Sequence, residues 1–279
     1  MSPGARHRSA DPADTLFGVR VDPLTRVQVL GRAQWAVDHR TPLRIGVVNA
    51  AKIVRLTRDP ALRDAVLACD LVLADGQSIV WASRLLRRPL PERVAGIDLF
   101  ETLLELADRR QLRVYLLGAT DEVLAAAEAE IARRWPGAAV CGRHDGYLGP
   151  GDEPRIVAEI TRSHADLLFV GMTTPLKELF LARWGRALGV PVQHGVGGAF
   201  DVLAGRTRRA PRVWQRAGLE WAYRAWQEPR RLGPRYVTTN LAFLGLLGRE
   251  LLRPRPPYPS PHPKDHAWTS TPGPRSTVV

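Results

Sequence analysis

Asp75 with Gly76, Asn49, and the glycines Gly195, Gly197 and Gly198 share one property: each follows directly on, or closes, a short run of aliphatic and β-branched residues. At the C-terminal end of a buried strand, a partly buried carboxylate can be tuned and aimed at a substrate hydroxyl as a general base. The same Asp-Gly pair also makes an ordinary turn. Asn49 can orient a sugar or phosphate, or cap the helix after it. Gly118, and Gly171 followed by Thr173, Thr174 and Pro175, continue the polar, glycine-rich series. Backbone N–H groups at such strand ends can cradle a phosphorylated ligand. Gly195-Val196-Gly197-Gly198 lacks the spacing of a dinucleotide fingerprint, and glycine clusters also serve simply to permit tight turns. Phe200, Asp201, Gly205, Arg209, Ala210 and Pro211 extend that stretch, while Arg93 and Asp98 either hold substrate hydroxyls or pair with each other.

Other chemistries lack their residues. There is no Walker-type loop, no Gly-x-Ser-x-Gly elbow, no zinc-ligand spacing and no Asp-x-Asp pair to hold a metal on a nucleotide sugar, so neither metal nor cofactor is expected. His39, His144, His164 and His194 are scattered and read as structural or exposed. Cys69 and Cys141 are too few for a disulfide framework and read as reduced core residues.

The elements that must position these groups alternate. Leu43 to Asn49, Leu71 to Ala74, Arg113 to Gly118, Ala138 to Gly142, Asp166 to Met172 and Val190 to His194 read as strands, separated by amphipathic helical patterns. The clearest helix follows Gly118: Thr120 and Asp121 offer caps, Val123, Leu124, Ala127 and Ile131 fall at helical spacing, and Pro136-Gly137 stops it. This alternation predicts an α/β fold with a Rossmann-like, mostly parallel sheet and flanking helices. In such sheets ligands sit at the C-terminal strand ends. The core is expected over 15–204, followed by a basic, Trp-rich helical appendage over 205–252. Residues 1–14 and the Pro-rich tail 253–279 are expected to be disordered.

Charge is concentrated. Val202 to Arg255 holds twelve arginines against Glu220, Glu228 and Glu250, a net +9 of the chain's +12. Arg209, Arg212, Arg224, Arg230, Arg231 and Arg235 are interleaved with Trp214, Trp221, Tyr223, Trp226 and Tyr236. A nucleic acid, an anionic membrane or a diphosphate substrate would each satisfy that charge. The mixture of Arg with Trp and Tyr suits a headgroup interface, and it equally describes a solvated basic face over a Trp-rich packing seam. The apolar run Leu241 to Gly248 is too short to span a bilayer, and Met1 to Asp14 has no apolar signal core, so a cytoplasmic location is expected.

Taken in order, Val47-Val48-Asn49, Ala74-Asp75-Gly76, Arg93 to Asp98, Val114 to Gly118, Gly171 with Pro175 and Glu178, Gly195 to Asp201, Arg209-Ala210-Pro211, and Gly218 to Trp221 with Glu228-Pro229 resemble the WecG/TagA/CpsF glycosyltransferase family over roughly residues 17–252. The resemblance implies an inverting, metal-independent transferase, peripheral on the inner face of the membrane. Such an enzyme moves N-acetylmannosamine or a related hexose from a UDP-sugar to a polyprenyl-diphosphate-linked saccharide in cell-surface polysaccharide synthesis. It implies that Asp75 is the general base, with Asn49 beside it. Arg93, Gly96, Asp98, Gly118, Gly171, Pro175, Lys177, Glu178, Gly195, Gly197, Gly198, Phe200 and Asp201 are implied on the substrates, and the six arginines on the acceptor diphosphate and membrane. Two positions depart from the family pattern: Val47 stands where Thr is usual, and Lys177 where Gln is usual. A cation at 177 would suit a diphosphate or an acidic sugar.

Two other readings remain at this stage. One is a basic nucleic-acid-binding protein, although no reading motif is present and no nucleic acid is expected as partner. The other is an inactive family member acting as a scaffold, with self-association into a homo-oligomer open in either case.

Overall fold

The computed structural model describes residues 15–149, 151–211, 213–214, 220, 222–223 and 229–252, with 229–237 described by their backbone. The two termini expected to be disordered lie outside these residues.

All six expected strands form: β3 (Leu43–Val48), β4 (Leu71–Ala74), β5 (Arg113–Gly118), β6 (Ala139–His144), β7 (Leu167–Gly171) and β8 (Val192–Gly195). They make one parallel sheet in the order β4-β3-β8-β7-β5-β6. Two-residue periodicity sends alternate side chains to opposite faces. Leu43, Ile45, Leu71, Leu73, Val114, Leu116, Leu167 and Phe169 enter one core. Val48, Val72 and Ala74 enter a second, and Tyr115, Leu117, Leu168 and Val170 a third. Covered on both faces, β4, β5 and β7 read as near-continuous apolar runs, whereas the edge strand β6 is half-exposed and β8 carries Gln193 and His194.

Helices α1 (Arg26–Asp38), α5 (Gly96–Arg110), α6 (Asp121–Arg134) and α9 (Ala199–Leu203) supply the first core. The opposite face is covered by α2 (Ala50–Leu56), α3 (Pro60–Leu67), α4 (Gln77–Leu85), α7 (Glu153–Arg162) and α8 (Leu176–Trp184). The helix predicted after Gly118 is α6: Thr120 caps it, accepting from the Val123 N–H, and Val123, Leu124, Ala127 and Ile131 are all buried.

Two features were not legible in advance. A hairpin, β1 (Thr15–Leu16) and β2 (Val19–Arg20), turns through Phe17 and Gly18, both at positive φ. Two-residue strands have no period to read. Asp22, just beyond it, accepts from the Val72 N–H at 2.8 Å and so ties the hairpin to the edge strand β4. The second is the packing of α10 (Pro229–Leu252), a helix within the expected appendage, whose Phe243 is buried with its ring 5.1 Å from Phe17. The C-terminal helix therefore packs into the same core cluster as the N-terminal hairpin. No helix among the described residues is long and apolar enough to cross a membrane.

After β3 the chain leaves to the α2 face, and after the neighbouring β8 it leaves to the α9 face. The two exits diverge and open a crevice at their C-terminal ends, the topological switch point at which α/β sheets take ligands.

Candidate active site

Asp75 sits at the lip of that crevice, immediately after β4, with Gly76 as the N-cap of α4. Its backbone N–H donates to the Val48 carbonyl at 2.9 Å, which locks it to the end of β3. Both carboxylate oxygens are held: Oδ1 accepts from the Gly96 N–H at 2.9 Å, and Oδ2 from the Asn49 amide at 3.3 Å. Gly96 is the first residue of α5, whose N-cap, Ala95, has no side-chain acceptor. The carboxylate thus takes a free N–H at the N-terminus of a helix, where the macrodipole favours negative charge.

Asn49 performs both tasks that its position allowed. Its Oδ1 accepts from the Lys52 N–H at 3.0 Å, capping α2, and that contact turns its Nδ2 toward Asp75. Beneath them lies His194, fully buried, with Nδ1 3.2 Å from the Ile45 carbonyl and Nε2 3.1 Å from the Gly96 carbonyl.

Beside this group is a buried charge cluster. Lys52 Nζ donates to the Val47 carbonyl at 2.7 Å and to Glu178 Oε1 at 2.8 Å. Lys177 Nζ donates to Thr174 Oγ1 at 2.6 Å and lies 3.0 Å from the same Glu178 oxygen. Arg55 donates to the Thr174 carbonyl. Burial opposes the Glu178 anion, yet the two ammonium groups outweigh it and hold its carboxyl at about 2. Burial, reinforced by Lys52, pushes Lys177 down against the pull of Glu178. Lys177 is therefore turned inward, neutralised by Glu178. Glu178 Oε2 is buried without a hydrogen-bond partner. A recess of about 20 Å³ beside it, lined by Val47, Lys52, Lys177, Glu178 and Gly195, has room for one water to serve that oxygen.

The glycines divide by role. Gly118 (φ 121°) pairs in register with Gly171, and a Cβ on Gly118 would lie 2.5 Å from the Gly171 carbonyl carbon. A Cβ on Gly171 would lie 2.3 Å from the Phe200 ring. Phe200 itself is fully buried, edge-on to Phe100 at 5.8 Å, so the side chain expected at the substrate is in the core, where the chain after β8 turns onto the sheet. Glycine at 118 and 171 answers a close backbone approach. Gly197 (φ 56°) and Gly198 open the α9 turn, with Asp201 in its first turn and open space around Gly197. Pro175 follows a cis Thr174–Pro175 peptide at the start of α8.

Arg93 and Asp98 do meet, though mainly through the C-terminal segment. Arg93 Nη1 donates to Glu220 Oε2 at 2.8 Å, Arg209 Nε to Glu220 Oε1 at 3.3 Å, and Arg209 Nη2 to Asp98 Oδ1. Arg93 lies 3.9 Å from Asp98. Although burial disfavours both charges, the partners win: Arg209 is raised and Glu220 lowered. Arg212 and Arg224 lie outside the described residues, as do the side chains of Arg230, Arg231 and Arg235. Among the described residues no group of three or more His, Cys, Asp or Glu side chains stands ready for a metal ion.

Sequence reasoning missed Lys52 and the placement of His194. Lys52 follows Asn49 by one helical turn, but its partner Glu178 is 126 residues away, and nothing local announces the pairing.

The family model described as "Glycosyl transferase WecG/TagA/CpsF family" matches residues 15–257. Among curated proteins, an N-acetylglucosaminyldiphosphoundecaprenol N-acetyl-beta-D-mannosaminyltransferase of Bacillus spizizenii is 35% identical over 189 residues, 66% of this chain and 73% of that protein.

Proposed function

The chain belongs to the WecG/TagA/CpsF family of glycosyl transferases, and from that membership we propose that it transfers N-acetylmannosamine, or a closely related hexose, from a UDP-sugar to a polyprenyl-diphosphate-linked N-acetylglucosamine. The observation that carries this reading is Asp75: a carboxylate at the switch-point lip, held through both oxygens by Gly96 and Asn49. A base fixed in this way is aimed before substrate arrives, and pre-organisation is the larger part of positioning catalysis.

In this reaction Asp75 takes the proton from the acceptor hydroxyl. The hydroxyl oxygen forms a bond to the anomeric carbon on the face opposite the leaving group, and the bond from that carbon to the diphosphate oxygen breaks with inversion. The negative charge that develops on UDP is met by backbone N–H groups of Gly195 to Gly198 and by arginines of the C-terminal segment. No divalent metal takes part. Because Lys177 is turned inward to Glu178 and Thr174, its charge does not by itself demand an acidic donor sugar.

The acceptor's lipid carrier places the enzyme at a membrane, peripherally and on the cytoplasmic side, where nucleotide sugars are made. Leu241, Leu244, Leu251 and Leu252 on α10 and Trp81 and Leu85 on α4 are exposed, as a lipid-facing surface requires.

The test is turnover of UDP-N-acetylmannosamine, UDP-glucose and UDP-glucuronate with a lipid-diphosphate-linked acceptor in EDTA. Acceptor-dependent UDP release from UDP-N-acetylmannosamine is expected. Release only from UDP-glucuronate would move the donor assignment, and dependence on added metal would overturn the metal-free reaction.

A further inference from the structure

His194 belongs to no step described above, yet it is one of the most completely buried polar side chains of the molecule. It lies on β8, in register with Ile45 of β3, at the bottom of the crevice. Both ring nitrogens face main-chain carbonyls, Ile45 at 3.2 Å and Gly96 at 3.1 Å. Burial lowers its pKa more than those carbonyls and Asp75 raise it, so the ring is neutral and carries a single N–H. One carbonyl receives that proton.

Both carbonyls belong to regular elements, Ile45 to the sheet and Gly96 to the first turn of α5, where helical geometry already gives its carbonyl the Phe100 N–H; they differ in that the Gly96 peptide also reaches Asp75. Ile45 is inside the sheet, with β4 on one side and β8 on the other. Gly96 begins a helix, has no side chain to restrict its backbone, and follows an N-cap residue that makes no side-chain bond. It is also the residue whose N–H reaches Asp75 Oδ1.

We propose that His194 is a positioning residue for Asp75: its Nε2–H donates to the Gly96 carbonyl, pins the first residue of α5, and so keeps the Gly96 N–H on the carboxylate. The proposal rests on the reading of Asp75 as general base. The histidine touches no substrate; it acts through one glycine.

The proposal distinguishes variants by reach. In His194→Gln the amide extends as far as Nε2 and can still donate to Gly96. In His194→Asn the amide reaches only where Nδ1 stood, toward Ile45, and His194→Leu fills the space without a donor. Rates are taken at saturating UDP-N-acetylmannosamine and lipid-linked acceptor, per equivalent of bound UDP so that unfolded protein does not count, with Asp75→Asn in parallel. The Asn and Leu variants are expected to lose at least about tenfold in kcat with both KM values within about threefold, while Gln stays within about threefold of the parent rate. Equal rates for all three variants, or losses confined to KM, overturn the role of His194 when Asp75→Asn is inactive. An active Asp75→Asn enzyme instead overturns the base reading beneath it.

A second measurement needs no turnover. In the ¹⁵N-histidine spectrum of the parent protein, the His194 ring, assigned by its loss in His194→Gln, is expected to carry its proton on Nε2. A proton on Nδ1 contradicts the proposal.

Discussion

The two halves of the strand-end rim are built from the same residue types and do different work. At β3, β4 and β8 the rim is a hydrogen-bonded chain, from Asn49 to Asp75, to Gly96, to His194, with polar groups facing the crevice. At β5 and β7 it is a seam of close contact, where Gly118 and Gly171 touch backbone to backbone and Phe200 seals the space behind them. Both halves present glycine at strand ends in the sequence. Only the first carries side-chain hydrogen bonds among its strand ends; the second spends its glycines on packing. A glycine-rich rim is therefore not by itself a phosphate cradle, and the crevice between diverging chain exits decides which half serves chemistry.

The sharpest way to break this contrast is to add a methyl group to each half. Gly118→Ala places a Cβ 2.5 Å from main-chain carbon at an unfavourable φ, and Gly171→Ala places one 2.3 Å from a buried ring. Each should cost about 3 kcal/mol or more in urea unfolding, enough to remove much of a domain's stability. Gly197→Ala has open space and only its positive φ against it, so about 1 kcal/mol is expected. Equal losses at 118 and 197 would refute the packing account of the seam.

Lys52→Met tests the charge cluster next to the base. It leaves Glu178 with Lys177 alone in a buried place, at a cost of about 2 kcal/mol by thermal or urea denaturation. The cluster also sets a pH dependence. The Glu178 carboxyl is held at about 2 in the folded protein against an ordinary 4.5. Because its folded value is depressed, its contribution is complete above about pH 4.5 and is lost as pH falls toward 2. Glu178→Gln should flatten the stability profile in that window.

A smaller effect is expected at the link to the C-terminal segment. Arg209 bridges Asp98 and Glu220 but is partly solvated, so Arg209→Ala should change unfolding by about 1 kcal/mol or less. If the same arginine meets the donor diphosphate, as proposed, KM for the UDP-sugar should rise well beyond what that loss of stability explains. An unchanged KM would confine Arg209 to joining the segment to the core.

Much of this was legible in the sequence for identifiable reasons. The six strands announce themselves as short apolar runs, and α6 through its cap and its four buried positions, because local periodicity carries that information. The position of Asp75 at a strand end was legible, although the same position equally suited a turn, and the Asn49 cap was legible by type. The β1–β2 hairpin and the inward turn of Lys177 were not, since each depends on partners far along the chain: Phe243 for Phe17, and Lys52 for Glu178. Phe200, implied at the substrates by the resemblance, is buried against Phe100 and Gly171, because a motif position says nothing about which side of the backbone its ring takes. His194, read as structural or exposed, is fully buried between the Ile45 and Gly96 carbonyls, partners that no local pattern announces.

The central claim is that the carboxylate of Asp75 does the proton transfer, and the most direct measurement is the kcat of Asp75→Asn on UDP-N-acetylmannosamine with a lipid-linked acceptor, taken on a preparation whose UDP affinity and melting temperature are measured alongside. A carboxamide can still accept from Gly96 but cannot serve as the base. The account predicts a fall of about hundredfold or more in kcat, with UDP binding and melting temperature close to the parent values. A variant that turns over at the parent rate would contradict it and leave Asp75 as the residue that joins β4 to α5.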